Sequence, residues 1–510
     1  MISLGCAKNL VDAEVMMGSL LKEGFEITNE NADADALIIN TCSFIDAAQE
    51  ESVDTILESA EFREHANSVQ ALIVSGCLSQ RYRRELPKLM PEVDAFMGID
   101  QVEQVGDIVR QAVGNRGSRL GQATEKPNGN ETETTAEPPG EPLIDIHSRP
   151  DYIPAFETPR LRLTPDHFAY VKIAEGCNHP CSFCIIPRMR GSHRSRSQAD
   201  IVQEARQLVS DGVKELNLIS QDSTYYGLDL RPGHRANISS PERFNAAASE
   251  LPADASTLAS LIRELNGIDG EFWIRVLYTH PAHWTDEIIS AIAECDKVAK
   301  YVDMPLQHIH DAMLERMRRE TSGQYIRDLI GRIREGIPGI VLRTTLIVGF
   351  PGETEEYFES LLDFMRDVRF ERLGVFTYSK EDGTKAGAMA SQLTDKQKEE
   401  RRERAMALQL GISREIAAAQ VGQVNRVLVE KPAAAEELQQ AKMNSWEHGH
   451  IRSEESNGVI DLGPYLIARG EADAPDIDGR VLVRGDLPLG QFADVRITGH
   501  TDYDLIAEPV

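Results

Sequence analysis

Two stretches of the chain end alike. ALIINTC (36–42) and ALIVSGC (71–77) are each a short apolar run closed by two small residues and a cysteine, with polar sequence on either side. Such a run is too short for a helix and reads as a strand buried on both faces, as in a parallel sheet. The opening ISLGC (2–6) is a clipped third copy, so Cys6, Cys42 and Cys77 fall 36 and 35 residues apart. Helical patterns fill the intervals, LVDAEVMMGSLLKEG (10–24) and IDAAQEESVDTILESAEF (45–62). The repeating unit is therefore strand, helix, strand at a βαβ spacing. Ligands gather beyond the carboxyl ends of parallel strands, and neighbouring strands lie about 4.8 Å apart. The three cysteines belong at one sheet edge, close enough to share one cluster. A lone cysteine after an apolar run is ordinarily a small buried hydrophobe, but three at matching positions call for a common reason.

The remaining sequence divides by pattern. Residues 114–150 are rich in Gly, Pro, Thr and Glu and poor in apolar residues, which predicts a disordered linker after a first domain at 1–113. A second polar insert, around 229–255, is expected to decorate a loop. Between 168 and 378 six strand-like runs, FAYVKIAEGC, KELNLISQDS, FWIRVLYTH, KYVDMPLQH, IVLRTTLIVGF and FERLGVFTYSK, alternate with helical patterns. Six βα units predict a parallel barrel open on one side, over 151–394, with functional residues at the strand carboxyl ends. A charged helix at 395–420 follows, and short strands separated by turns at 421–510 predict a small antiparallel β-barrel. The fold class is α/β throughout its first two domains.

Charge and cysteine usage narrow the function. Net charge is −28, from 54 Lys and Arg against 82 Asp and Glu, a poor balance for a general nucleic-acid binder and a fitting one for a basic partner. The last segment, 421–510, holds 8 basic and 16 acidic residues. Two local basic patches stand out, RYRREL (81–86) and PRMRGSHRSR (187–196). No run of 18 apolar residues occurs, so no membrane partner is expected. Leu4-Gly5-Cys6 has the look of a lipoprotein cleavage box, but only five residues precede the cysteine. Seven cysteines without an export signal predict a cytoplasmic protein whose thiols are ligands, nucleophiles or core residues.

Within EGCNHPCSFC the cysteines stand at 177, 181 and 184, just past the first barrel strand. Zinc would want four ligands, with His179 or His193 as the fourth. Three close thiolates also suit an iron-sulfur cluster with one iron lacking a protein ligand. Cys295, in AECDKVAK, reads as a structural cysteine.

The stretches SLGCAKNLVDAE (3–14), INTCSFIDAAQEES (39–52), GCNHPCSFCIIPRMRG (176–191), SQDSTYYG (220–227), WIRVLYTHP (273–281), VDMPLQHI (302–309) and RTTLIVGFPGETEEYFESL (343–361) resemble the methylthiotransferases of the radical S-adenosylmethionine superfamily. The likeness is greatest to the branch that acts on a ribosomal protein. It implies an amino-terminal cluster domain, an open (βα)6 radical barrel and a TRAM-type terminal β-barrel. It further implies two 4Fe-4S clusters, one on Cys6, Cys42 and Cys77 and one on Cys177, Cys181 and Cys184, with S-adenosylmethionine as cosubstrate. Phe183, Gln221, Asp222, Gly349, Gly352 and Glu353 are implied on the cofactor side, with no catalytic residue beyond the cluster ligands. Gln307 and His308 could face cofactor or substrate, or be hydrogen-bonded core residues. Arg188, Arg190, Arg194 and Arg196 read equally as a solvated basic face or as a dock for an acidic ligand or RNA. The implied acceptor is the β-carbon of an aspartate in the twelfth small-subunit ribosomal protein. An external electron donor and a sulfur source are implied partners, and nucleic acid is at most peripheral. The alternative is a tRNA isopentenyladenosine methylthiotransferase; its motif reads GCQMN, whereas GCAKN here is nearer the GCPKN of the ribosomal-protein branch. Relatives usually carry several more residues before SLGC, so Met1 stands where the first strand should already be running.

Overall fold

A computed structural model describes residues 1–66, 70–124, 141–231, 239–434 and 464–510. Two compact units divide it. The first comprises 1–163 with 175–177 and 185–194, and the second 164–174, 178–184 and 195–510.

The first unit is a five-stranded parallel sheet in the order β1 (Ile2–Ser3), β2 (Ala36–Thr41), β3 (Ala71–Gly76), β4 (Ala95–Met97) and β5 (Leu143–Asp145). Side chains alternate between the faces of a strand, and both faces are covered here. Ile38, Ile73, Ala95 and Met97 pack under α1 (Ala7–Lys22) and the helix Val105–Thr124, while Leu37, Ile39, Leu72, Val74 and Phe96 pack on the other side against Ile56 and Ala60 of α2 (Asp46–Ala66). That two-sided burial is why the runs are continuously apolar.

The expected linker at 114–150 is overturned where it is described. The helix Val105–Thr124 runs through its first part, and Leu143–Asp145 adds the fifth strand, paired with Ala95–Met97; residues 125–140 lie outside the described residues. The insert near 229–255 contains the helix Pro241–Ser249, capped by Ser240, with Phe244 buried against Tyr225.

The second unit holds six parallel strands in sequence order: Phe168–Lys172, Glu215–Ile219, Trp273–Val276, Tyr301–Asp303, Val341–Val348 and Arg372–Thr377. The two three-stranded halves join where Ile274 exchanges backbone bonds with Lys297 and Ala299. No ladder among the described residues pairs the first strand with the sixth, so the barrel is open. Residues such as Leu216, Leu218, Ile274, Leu342 and Val375 face the surrounding helices in one core. The alternate positions Glu215, Asn217, Arg275, Asp303 and Arg343 are polar and buried.

The helix Asp395–Gln420, opened by a capping box of Thr394 and Gln397, leads to a closed five-stranded barrel cored by Val427, Val429, Val483, Val495 and Ile497. Its ladders are antiparallel except one, Val481–Val483 against Leu505–Ala507, which is parallel. This corrects the expected all-antiparallel arrangement: the strand Phe492–His500 lies between its sequence neighbour and the strand Val424–Pro432. The turn after Tyr465–Gly470 closes the amino-terminal ends of the six-stranded barrel. Arg275 donates to the backbone of Glu471, Asp473 pairs with Arg372 at 2.6 Å and Asp478 with Arg343 at 3.4 Å. Glu215 is gripped by Arg275 at 2.6 Å and Arg469 at 2.5 Å. One end of the barrel is thereby sealed, and the carboxyl ends of the strands carry the candidate site. No helix among the described residues is long and apolar enough to cross a membrane.

Candidate active site

Thr41 of β2 lies opposite Gly76 of β3, so Cys42 and Cys77 leave the sheet side by side. β1 is in register with them through Ser3 and Asn40, and Leu4 donates to Asn40 O. Cys6 follows as the N-cap of α1, with φ −89° and ψ 170°. Two glycines make this convergence possible. Gly5 has φ +86°, and a methyl group on it would lie 2.7 Å from Cys42 Cβ and 2.9 Å from its Sγ; Gly76 has φ +92°, and a methyl there would meet Thr41 O at 2.5 Å. Both backbones occupy the left-handed region and approach a neighbour more closely than any side chain allows. Asn9 laces the tips together, donating to Leu4 O at 2.7 Å and Thr41 O at 3.2 Å, while Asn40 donates back to Asn9 O at 2.7 Å.

Cys42 and Cys77 are buried and Cys6 is exposed. Burial pushes the Cys42 thiol up strongly, and the nearby sulfurs of Cys77 and Cys6 push it further. Burial also raises Cys77, opposed by the Arg190 guanidinium, whose Nη2 donates to Cys77 Sγ at 3.4 Å. The donor set is three soft sulfurs at adjacent strand tips, each within electrostatic reach of the others, with a buried cation beside one of them. That set fits an iron-sulfur cluster held by three thiolates.

The second cysteine motif is anchored residue by residue. In the first unit Cys177 donates its N–H to Gly191 O at 3.1 Å. In the second, Cys184 N–H reaches Cys181 O at 3.3 Å, and Ser182 binds the end of the helix Asp311–Met317 through Met317 O at 2.9 Å and Arg316 O at 2.7 Å. Phe183 meets Phe350 edge-on, ring centres 6.4 Å apart. Arg319 donates to Cys181 Sγ at 3.7 Å. None of the three forms a disulfide, and all are half-buried.

Past the second barrel strand Gln221 is half-buried and Asp222 buried. The Asp222 carboxylate is already engaged, by His179 Nε2 at 3.0 Å, His283 Nδ1 at 2.7 Å and Thr224 Oγ1 at 2.6 Å. Burial works against its charge, yet the two imidazoles hold it well below the usual carboxylate range. Burial brings His179 down to about 4, only partly offset by Asp222. His280 stacks on His179 with ring centres 3.5 Å apart, and burial, helped by Arg319, keeps it neutral. His179, a possible zinc ligand by spacing, thus points its Nε2 at Asp222.

GFPGE is also tightly engaged. Gly349 and Gly352 have φ +72° and +83°, and a methyl on them would lie 2.4 Å from Lys398 Cγ and 2.9 Å from Arg316 Nη2. Glu353 accepts from Gly349 N–H at 2.7 Å, from His308 Nε2 at 3.1 Å and from Arg401. His308 Nδ1 accepts two backbone N–H groups, at 2.9 and 3.0 Å, which leaves its proton on Nε2 for Glu353. His308 is thus a fully hydrogen-bonded buried histidine. Gln307, at φ +72°, keeps a buried Oε1 with no hydrogen-bond partner. Cys295 caps the helix Asp286–Glu294 inside the core.

The basic patch does not form one solvated face. Arg188 is exposed and Arg194 half-buried, but Arg190 and Arg196 are buried at 2% and 4% exposure. Arg196 is absorbed by Asp200 and Glu204. Sequence reading passed over His280 and His283, whose only signal was their spacing in THPAHW, and over Arg319.

Profiles of known families match three parts of the chain: the Uncharacterized protein family UPF0004 at residues 1–98, the Radical SAM superfamily at 171–365 and the TRAM domain at 455–510. A Ribosomal protein uS12 methylthiotransferase RimO from Opitutus terrae is 50% identical over 515 residues, covering 100% of this chain and 96% of the relative. Its counterpart from Akkermansia muciniphila is 46% identical over 514 residues, covering 100% and 99%. Among solved structures, the radical S-adenosylmethionine methyltransferase TsrM from Kitasatospora setae is similar with a TM-score of 0.48 and 15% identity, over 75% of this chain and 71% of that one.

Proposed function

The chain belongs to the family of ribosomal protein uS12 methylthiotransferases named RimO, and from that membership we propose that it places a methylthio group on the β-carbon of an aspartate in uS12. The observation that carries the reading is the 50% identity maintained over 100% of the chain. The tRNA-modifying alternative is not favoured, since the Opitutus terrae, Akkermansia muciniphila and Geotalea uraniireducens relatives, each matched over 100% of this chain, bear the ribosomal-protein name.

With two 4Fe-4S clusters and S-adenosylmethionine bound, the chemistry supplied is hydrogen removal from an unactivated carbon, which acid and base side chains cannot achieve at neutral pH. The chain's own residues hold and orient. Cys6, Cys42 and Cys77 would carry the amino-terminal cluster, and Cys177, Cys181 and Cys184 that of the barrel. Three protein ligands for each cluster would leave a position for exogenous sulfur at the first and for S-adenosylmethionine at the second.

Around the cofactor, Phe183 and Ser182 fix the motif's position. Asp222 orients His179 within the cysteine loop. Glu353 locks the GFPGE turn to His308 and Arg401. Gln221, Gly349 and Gly352 complete the cofactor side. An external reductant and a sulfur source are required partners, and the working compartment is the cytoplasm. A net charge of −28 favours encounter with a basic ribosomal protein.

Mass spectrometry of uS12 from cells with and without the gene tests the reading. The aspartate should carry the methylthio increment only when the gene is present. An unmodified aspartate in both, with a methylthio change in tRNA, would transfer the function to the alternative.

A further inference from the structure

The four basic residues after the second cysteine motif left one unexplained member. Arg190 is 2% exposed, and its guanidinium reaches four groups of the first unit: Asp12 Oδ2 at 3.0 Å, Glu175 Oε2 at 3.1 Å, Asn9 Oδ1 at 3.2 Å and Cys77 Sγ at 3.4 Å. Two carboxylates are enough to hold an arginine in place. They leave the fourth contact, an N–H aimed at a sulfur that the site reading makes a cluster ligand, without a structural purpose of its own.

We propose that Arg190 is a positioning residue for the amino-terminal cluster, whose N–H to Cys77 Sγ sets the reduction potential of that cluster. The inference rests on the assignment of Cys6, Cys42 and Cys77 as ligands. Hydrogen bonds to ligand sulfur, together with local charge and burial, set the potentials of iron-sulfur centres. A donor on a thiolate draws negative charge off the cluster, and the added electron is then better tolerated, so the potential rises. Arg190 and Cys77 are both buried, so their interaction is little screened by water or salt.

The residue type fits the task. A guanidinium is planar and always charged, with five N–H donors in a fixed fork. Asp12, Glu175 and Asn9 occupy part of that fork and orient the rest. A lysine would bring charge to the same place but could not serve four acceptors spread around it in this geometry. The sequence adds a second point: Arg190 lies six residues after Cys184. The segment that follows one cysteine motif therefore supplies the hydrogen bond to a ligand of the other.

The test uses the full chain with Cys177→Ala, Cys181→Ala and Cys184→Ala, so that only the amino-terminal cluster can form. Anaerobic reconstitution with iron and sulfide counting comes first, then a potentiometric titration followed by electron paramagnetic resonance. Arg190→Met should move the midpoint to more negative potential by at least a tenfold change in the reduction equilibrium, which for one electron is about 59 mV. Arg190→Lys, keeping the charge but losing the fork, should shift it in the same direction by less. Should Arg190→Met lose the cluster, Arg190→Lys carries the comparison, and a midpoint equal to the parent's overturns the proposal. A full cluster with an unmoved midpoint in Arg190→Met overturns it as well, and reduces Arg190 to a rivet between Asp12 and Glu175. A parent chain that binds no iron overturns the ligand assignment itself, a distinct failure from the other two.

Discussion

Gly5→Ala isolates what the strand-tip geometry demands. Gly5 has φ +86°, and its new methyl would sit 2.7 Å from Cys42 Cβ and 2.9 Å from Cys42 Sγ. Holding an L-residue in the left-handed region costs about 1–2 kcal/mol, and forcing a methyl into a filled site adds about 1–3 kcal/mol. The sum, about 2–5 kcal/mol, falls on the backbone bond from Leu4 N–H to Asn40 O and on the Cys42 side chain, which must move. Gly24 is the control, because it has the same φ of +86° with nothing within 4 Å of its methyl position; Gly24→Ala carries the backbone term alone, about 1–2 kcal/mol. Hydrogen exchange at Leu4 should accelerate by about one and a half to four powers of ten in Gly5→Ala, at 1.36 kcal/mol per tenfold. Iron and sulfide counts after reconstitution should drop from two clusters to one in Gly5→Ala and stay at two in Gly24→Ala. Two full clusters in Gly5→Ala, or equal damage from both variants, would refute the claim that close approach at Cys42 is what the glycine secures.

Four further outcomes follow from buried charges and ligands. Glu215→Gln removes the carboxylate between Arg275 and Arg469, with all three side chains at most 3% exposed; Arg469 keeps Glu430 at 2.7 Å, so the buried charge left uncompensated is that of Arg275, at a cost of about 3–5 kcal/mol, read as faster hydrogen exchange in the strands Glu215–Ile219 and Tyr465–Gly470. The same carboxylate gives a pH dependence: burial pushes its pKa up, but Arg469 and Arg275 outweigh burial and hold it below 4.5. A depressed folded-state pKa stabilises above the unfolded value and is lost as pH falls through the folded one, so protection in these strands should decline as pH falls below the ordinary carboxylate range in the parent and decline less steeply in Glu215→Gln, where Glu430 still titrates beside Arg469. Asp222→Asn takes the charged acceptor from His179 and His283, a loss of about 1–3 kcal/mol; in a Cys6→Ala, Cys42→Ala, Cys77→Ala background it should lower the iron retained by the barrel motif, and undiminished iron would deny Asp222 its orienting role. Replacing Cys6, Cys42 and Cys77 together should remove one cluster of two, and a single cluster in both proteins would end the dual-cluster reading.

What could be read from the sequence follows from which residues satisfy themselves locally. ALIINTC and ALIVSGC were legible because β2 and β3 are covered on both faces, so burial writes itself as an unbroken apolar run. The six barrel strands were legible for the same reason on their outer side, where Leu216, Ile274 and Val375 meet helices. Leu143–Asp145 escaped because it is a short edge strand, half-exposed, whose order comes from pairing with Ala95–Met97 rather than from its own apolar content. The helix Val105–Thr124 escaped where Gly and polar residues dilute its pattern past residue 114.

Arginines gave the least away, since nothing in PRMRGSHRSR separates the exposed Arg188 from the buried Arg190. Burial of an arginine is decided by its acceptors, and those of Arg190 come from Asn9, Asp12, Cys77 and Glu175, scattered over the whole first unit. Asp222 makes the same point from the other side. Its place at a strand end was readable, but the two imidazoles that hold its charge come from residues 179 and 283, on separate segments. A ligand set marked by repeated strand tips can be inferred from one dimension, because the sheet repeats it. The groups that tune those ligands are brought together only by the fold, and they carry no repeat to betray them.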